Sequence, residues 1–188
     1  MGKQVYIIHG YGASPANHWF PWLKEKLIAD GNQVSVLHMP NSSDPNKEEW
    51  LETLTNEIKN VNNKTYFVTH SLGSITLLNY LDQLDPLPSF GGFILVSGFS
   101  EPLSSLPSLN PFTVTKVDYK RIIAATNSRA VIAAKDDYIV PIQLSQNLSK
   151  QLDTSFYPVE KGGHFLEDDG FTSFPLVYDI LNNIMRNV

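Results

Sequence analysis

The sequence predicts one α/β domain in which about six mostly parallel strands are flanked by helices on both faces. Short apolar, β-branched runs alternate along the chain with segments whose apolar residues repeat every three or four positions. These runs are continuous rather than alternating, as strands buried on both faces require. The 188 residues suit a single domain with a real core. This alternation is typical of parallel strands joined by right-handed crossovers.

Six segments have the composition of buried strands, and the intervening segments show helical periodicity. In the first helical segment, Gly31 provides the stop signal. Its apolar residues at helical spacing are Trp19, Trp22, Leu23, Leu27 and Ile28. The predicted strands are 4–9, 33–39, 65–70, 92–98, 129–135 and 154–160, and the predicted helices are 18–31, 46–60, 72–84, 118–127, 141–152 and 171–187.

Residues 99–117 interrupt this alternation. The segment contains three prolines and four serines, but its phenylalanines and leucines make it too apolar for a solvated linker. We therefore expect a folded excursion after the fourth strand, within the single domain 1–188, and hypothesise that it covers the functional site.

Composition narrows the classes of function. The net charge of −5 and the lack of a Lys/Arg run argue against a nucleic-acid surface. No apolar run is long enough to span a membrane, and the amino terminus lacks the long apolar region of a signal peptide. The absence of cysteine excludes disulfides and thiolate sites. We expect a cytoplasmic protein.

Polar residues of three chemical types follow three of the predicted strands. Ser71 follows the third, the Asp136-Asp137 pair the fifth, and His164 the sixth. Ligands of such sheets bind at the carboxyl ends of strands. A serine hydroxyl becomes a nucleophile when an imidazole takes its proton and a carboxylate orients that imidazole. The sequence therefore predicts a serine-hydrolase site at this edge.

The motifs at the strand ends resemble a known family. The order Ser, Asp, His resembles the α/β-hydrolase superfamily. The stretches HGY, NHWFPWL, MPN, THSLGS, ILVSGF, KDDYIVP and GGHF resemble the small YdeN/retinoblastoma-binding-protein-9 group of serine hydrolases. The resemblance spans nearly the whole chain. It implies a compact α/β-hydrolase fold with a minimal lid, cleavage of a small-molecule carboxylic ester or acyl substrate, and no cofactor or metal.

Carried over by position, the resemblance makes Ser71 the nucleophile and His164 the general base. Of the two acidic candidates, Asp137 stands in the register of the family's D-x-x-V-P pattern, so we take Asp137 as the acid and Asp136 as a loop-shaping carboxylate. Backbone N–H groups of Leu72 and Tyr11 are expected to form the oxyanion hole. His9, His70 and Phe99 are candidates to line the substrate pocket.

One residue departs from the family motif. The usual nucleophile turn is G-x-S-x-G, but Thr69 stands at the first glycine position, whereas Gly73 keeps the second. Because threonine is larger and β-branched, either the helix sits further away or the threonine packs in a permitted rotamer.

Other readings of these residues exist. Ser71 could simply cap a helix, Asp137 could be a turn residue, and His164 could lie in a surface loop. Residues 167–170 (EDDG) read as a solvated loop and helix start. The same triad would serve an amidase, peptidase or thioesterase, and the scaffold could also belong to a binding or regulatory protein with little turnover.

Overall fold

The computed structural model describes residues 2–186, so the last residue of the predicted helix 171–187 lies outside the described part. Within it, six strands form a sheet in the order β2-β1-β3-β4-β5-β6. Every neighbouring pair is parallel, which confirms the predicted fold class. The strands are β1 Gln4–Ile8, β2 Gln33–Leu37, β3 Thr65–His70, β4 Gly92–Val96, β5 Arg129–Ala134 and β6 Ser155–Val159.

Helices cover both faces of this sheet. They are α1 Phe20–Ala29, α2 Lys47–Glu57, α3 Leu72–Gln83, α4 Tyr119–Ala125, α5 Ile142–Gln151 and α6 Pro175–Arg186. Buried residues of α1 and α6 form one apolar cluster on one face, and those of α2 to α5 form another cluster on the opposite face. No helix within residues 2–186 has the length and apolarity that a membrane crossing needs.

All six predicted helices are present, but α6 begins at Pro175 rather than at residue 171, and the start and buried face of α1 differ from the prediction. Trp19 is fully buried but precedes the helix as its N-cap residue, and Phe20 supplies the first buried side chain of the helix itself. Ile28, expected on the buried face, is 49% exposed. Ile28 lies about 100° around the helix from Leu27, which turns it away from the buried face of Phe20, Leu23 and Leu27.

The 99–117 excursion is folded, as predicted. It contains a 3₁₀ helix, Pro107–Phe112, and buries Leu109 and Phe112 in the cluster on the α3 side. A hydrogen bond joins the backbone of the excursion to α3, because Asn79 Nδ2 of α3 donates to the Phe112 carbonyl at 2.9 Å. Ser105 Oγ also donates to the Ile139 carbonyl at 3.1 Å, so the segment reaches the loop that follows β5.

Strand order reverses between β1 and β3. From β1 the chain crosses to β2 on one side and then returns to place β3 on the other. Open α/β sheets bind ligands in the crevice at such a switch point, beyond the carboxyl ends of the strands. The residues after β1 and β3, including Gly10 and Ser71, therefore lie at the position that this topology favours for a site.

Candidate active site

Ser71 lies at a strained turn between β3 and α3. Its φ of 52° and ψ of −120° are a conformation that a residue with a side chain seldom adopts, at a cost of about 1–3 kcal/mol. The residue occupies the N-cap position of α3, but its side chain makes no capping hydrogen bond. A capping serine has extended backbone and bonds an N–H of the first turn. The geometry therefore contradicts the simple capping role and leaves the hydroxyl free.

Two glycines allow the turn to approach β1. A Cβ on Gly73 would lie 2.6 Å from the Ile8 carbonyl oxygen, so only glycine lets the start of α3 pack this closely. A Cβ on Gly10 would lie 2.9 Å from the Ser71 Cβ and 3.5 Å from the Leu72 backbone nitrogen. The loop after β1 therefore passes directly beside the nucleophile candidate and the N-terminus of its helix.

Thr69 is accommodated by a hydrogen bond. Its side chain is fully buried, and its Oγ1 lies 2.7 Å from Ser74 Oγ in the first turn of α3. The hydroxyl pair satisfies two polar groups that would otherwise be buried without partners. Thr69 thus replaces the motif's first glycine while α3 still contacts β1 through Gly73.

His164 and Asp137 form a buried pair. His164 Nδ1 lies 2.9 Å from Asp137 Oδ2 and 3.1 Å from Oδ1. The carboxylate has no exposed side-chain surface and the imidazole only 5%. Because an ionised carboxylate accepts only, Nδ1 carries the hydrogen, and Nε2 is the nitrogen left to accept a proton. This is the orientation that a general base in a Ser-His-Asp set requires.

The two adjacent aspartates have different hydrogen-bond partners. Asp137 Oδ1 accepts from the N–H groups of Ile139 and Val140 at 2.9 and 2.8 Å. Asp136 Oδ1 instead accepts from the N–H groups of Gly162 and Gly163 at 2.8 and 3.0 Å. These bonds lower the pKa of Asp136. Asp136 shapes the loop after β6, whereas Asp137 orients the imidazole.

Within residues 2–186, the hydrogen bonds of this pair do not extend to Ser71 Oγ. The structure links Ser71 to His164 through the preceding residue, because His70 Nε2 lies 2.8 Å from the His164 carbonyl oxygen. Nucleophile and base are often poorly aligned without substrate and align in the Michaelis complex. The hydrogen bond between Asp137 and His164 is therefore formed in this structure, whereas a hydrogen bond between His164 and Ser71 Oγ is not.

All three pocket candidates have buried side chains: His9 and Phe99 are fully buried and His70 is 2% exposed, so their place in a substrate pocket stays a prediction. Phe99 packs in the core cluster against the rest of the excursion. His9 accepts from Met39 N–H through Nε2 at 3.1 Å, and its Nδ1 donates to the Gly10 carbonyl at 2.9 Å. Burial also lowers the pKa of His9, so this neutral imidazole joins the loops after β1 and β2.

Three residues at the site were missed by sequence reasoning. Ser97, in the left-handed region at φ 47°, donates through Oγ to Asp137 Oδ2 at 2.8 Å. Asp169, expected in a solvated loop, accepts from His164 N–H at 2.9 Å. His18 Nδ1 accepts from Glu167 N–H at 3.0 Å, which joins the loops before α1 and after β6. The sequence held a signal for two of them, because Ser97 lies in the ILVSGF stretch after β4 and His18 in the NHWFPWL stretch before α1.

Comparison with known proteins places this geometry in the α/β-hydrolase class. Residues 5–183 match the serine hydrolase family. The chain belongs to that family. It is 51% identical over 183 residues to the YdeN protein of Bacillus subtilis (strain 168), covering 97% of this chain and 96% of the relative. The crystal structure of the B. subtilis ydeN gene product superposes with a TM-score of 0.94 at 50% identity, over 98% of this chain and 99% of that one.

More distant structures share the fold. A meta-cleavage product hydrolase from Pseudomonas fluorescens IP01 gives a TM-score of 0.67 at 15% identity, covering 97% of this chain and 91% of that chain. Est1E from Butyrivibrio proteoclasticus gives 0.68 at 14% identity, covering 99% and 88%. At these identities the likeness extends to the fold alone.

Proposed function

We propose that the chain is a serine esterase that cleaves small carboxylic esters through an acyl-enzyme on Ser71. The observation that carries the proposal is the strained backbone of Ser71, which holds a hydroxyl that caps nothing at the N-terminus of α3. Backbone strain of this kind persists where function requires it and clusters at active sites. The buried His164–Asp137 pair beyond the same sheet edge supports the role.

In the proposed reaction, Ser71 Oγ attacks the ester carbonyl while His164 Nε2 takes its proton. The tetrahedral intermediate collapses, the ester C–O bond breaks, and the imidazolium returns the proton to the departing alcohol. Water then attacks the acyl-enzyme with His164 again as base, which releases the acid and restores the serine. Asp137 remains ionised and stabilises the imidazolium at 2.9 Å.

The backbone N–H groups of Tyr11 and Leu72 are proposed to bind the oxyanion. The approach of Gly10 to Ser71 and Leu72 supports this assignment, because it brings the loop after β1 beside the helix N-terminus. Tyr11 N–H donates to no backbone carbonyl among residues 2–186. One such donor typically raises the rate about 10²–10³-fold by stabilising the negative charge of the oxyanion. The N-terminal dipole of α3 stabilises the same charge.

The burial of the proposed nucleophile and general base favours small substrates. Ser71 is 5% exposed and His164 4%. The excursion 99–117 is proposed to cover the site, and its tie to Ile139 next to the acid loop supports this. The negative charge and the lack of cysteine support a cytoplasmic enzyme that acts on a small molecule rather than on nucleic acid.

A fluorophosphonate probe tests the nucleophile directly. The wild type should be labelled and should hydrolyse short p-nitrophenyl esters, with rates falling as the acyl chain lengthens. The Ser71→Ala variant should lose both. Ser149→Ala, which removes a buried hydroxyl from α5, is the matched control and should retain both. Labelling that survives in Ser71→Ala would refute the nucleophile. A wild type with neither labelling nor turnover would favour a binding protein on this scaffold.

A further inference from the structure

His70 is a buried imidazole whose role is not explained by the three proposed catalytic residues. It precedes the nucleophile directly and is 2% exposed. Its Nε2 lies 2.8 Å from the His164 carbonyl oxygen. Because that oxygen can only accept, Nε2 must carry the hydrogen. In the neutral ring Nδ1 is then unprotonated, and it has no hydrogen-bond partner among residues 2–186.

The surroundings of His70 keep the ring neutral. The rings of His18, Trp19 and Phe20 lie about 6 Å from it, at 5.9, 6.1 and 5.9 Å between centroids. Burial in this shell lowers the pKa of His70 well below its usual value, and the nearby histidines His164, His18 and His9 lower it further. A second proton on Nδ1 would be a buried charge without a hydrogen-bond partner among residues 2–186, so the residue is a neutral donor.

The bond from His70 completes a set of contacts around one residue. Asp137 holds the His164 ring through Nδ1, and Asp169 accepts from the His164 N–H at 2.9 Å. His70 binds the remaining polar group, the carbonyl. With both peptide groups and the ring held, the free Nε2 has a defined position relative to Ser71.

We propose that His70 is a positioning residue for the general base: its neutral Nε2–H fixes the His164 carbonyl without adding a positive charge beside the imidazolium. The inference rests on the proposed function, in which His164 becomes positively charged. The two rings are 4.8 Å apart, so a lysine or arginine at position 70 would supply a donor but would oppose that charge. Histidine supplies the donor in neutral form.

Two substitutions separate positioning from packing. Gln at position 70 keeps an N–H donor at the place of Nε2, whereas Leu removes it. His70→Gln should keep kcat/KM within about threefold. His70→Leu should lower kcat about 10- to 100-fold with little change in KM, since small misplacements of a reacting group have effects of this size. Thr126→Val removes a buried hydroxyl that donates to the Gly91 carbonyl before β4 and accepts from the Ser128 N–H, and it should leave kcat unchanged.

Equal activity of the Gln and Leu variants, with both folded by thermal denaturation, would overturn the proposal. So would a loss in His70→Leu that matches its loss of folded protein.

Imidazole NMR tests the position without any substrate. The chain has five histidines, so ¹⁵N-labelled histidine gives an assignable set. His70 should show a neutral ring protonated at Nε2 from about pH 5.5 to 8. His70→Leu should shift the His164 Nδ1–H signal, and His70→Gln should restore it. A His70 protonated at Nδ1, or one that titrates in this range, would refute the inference. This result stands even if fluorophosphonate labelling disproves the esterase, so the two failures are distinguishable.

Discussion

Two parts of the proposed site reach the same sheet edge by different physical means: the turn of Ser71, the proposed nucleophile, and the loop of His164, the proposed general base. Ser71 is held by backbone: a positive φ, and glycine contacts that press α3 against β1. The loop of residues 160–170 follows an edge strand and is held by side chains from elsewhere, namely Asp136, Asp137 and His70, and by its own Asp169. The difference shows two ways to position a side chain: local backbone strain positions Ser71, whereas polar contacts from distant parts of the chain position His164.

The largest expected effect is on the general-base side. Asp137→Asn keeps the shape but should lower kcat about 10³–10⁴-fold, because the amide no longer selects the imidazole tautomer or stabilises its charge. Asp136→Asn, one residue away, should lower kcat no more than about tenfold, since it weakens only loop contacts. Steady-state ester hydrolysis measures both. If the two variants lose the same activity, the division of roles between these aspartates is wrong.

A backbone clash should disturb the nucleophile side. Gly73→Ala places a Cβ 2.6 Å from the Ile8 carbonyl oxygen, so α3 must shift, and we expect about 1–3 kcal/mol loss in the free energy of unfolding with kcat reduced about 100-fold. Gly31→Ala has a positive φ but no atom within 4 Å, so it should cost stability alone. Urea denaturation and kinetics of both variants make the test. An unchanged kcat in Gly73→Ala would show that the close approach is not needed.

A smaller effect is expected at Ser97, which follows β4 and donates a hydrogen bond to the proposed acid, Asp137. Ser97→Ala removes the 2.8 Å bond to Asp137 Oδ2, and we expect about a tenfold decrease in kcat with KM unchanged. Ser145→Ala removes a buried hydroxyl bonded to the Gly98 carbonyl and serves as the control. A wild-type rate in Ser97→Ala would mean that Asp137 is positioned by the Ile139 and Val140 N–H groups alone.

The smallest effect concerns stability and pH. The pKa values of His9 and His70 are lowered in the folded protein, chiefly by burial, so below their unfolded value near 6.5 the unfolded chain binds more protons. The free energy of unfolding should therefore decrease as pH falls from about 6.5, by up to about 1.4 kcal/mol per pH unit for each histidine.

Urea titrations between pH 5 and 7 measure this slope. His70→Gln removes one of the histidines whose pKa burial lowers and should give a shallower decrease, whereas Thr126→Val keeps them all and should retain the wild-type slope. Stability that is independent of pH in this range, or an identical slope in His70→Gln, would contradict the assignment.

Sequence alone was sufficient for the parts of the molecule that local pattern determines. Periodicity and apolar runs predicted all six strands. Motif register separated Asp137 from Asp136; the two have different hydrogen-bond partners, and their catalytic roles stay predictions. The contacts of Ser97, Asp169 and His18 join residues that have no common local pattern, so they became visible only in three dimensions. The burial of Phe99 was not predicted, because the sequence does not show that apolar side chains of the excursion pack inward on the core.

The position of β6 at the edge of the sheet has a consequence for behaviour in solution. An exposed parallel edge offers unpaired N–H and carbonyl groups to other chains. Proline at position 158 has no N–H to offer and is found in sheets at edge strands. β6 is therefore a poor template for pairing with a strand of another chain. Self-association through this edge, which would distort the loop that carries His164, is disfavoured.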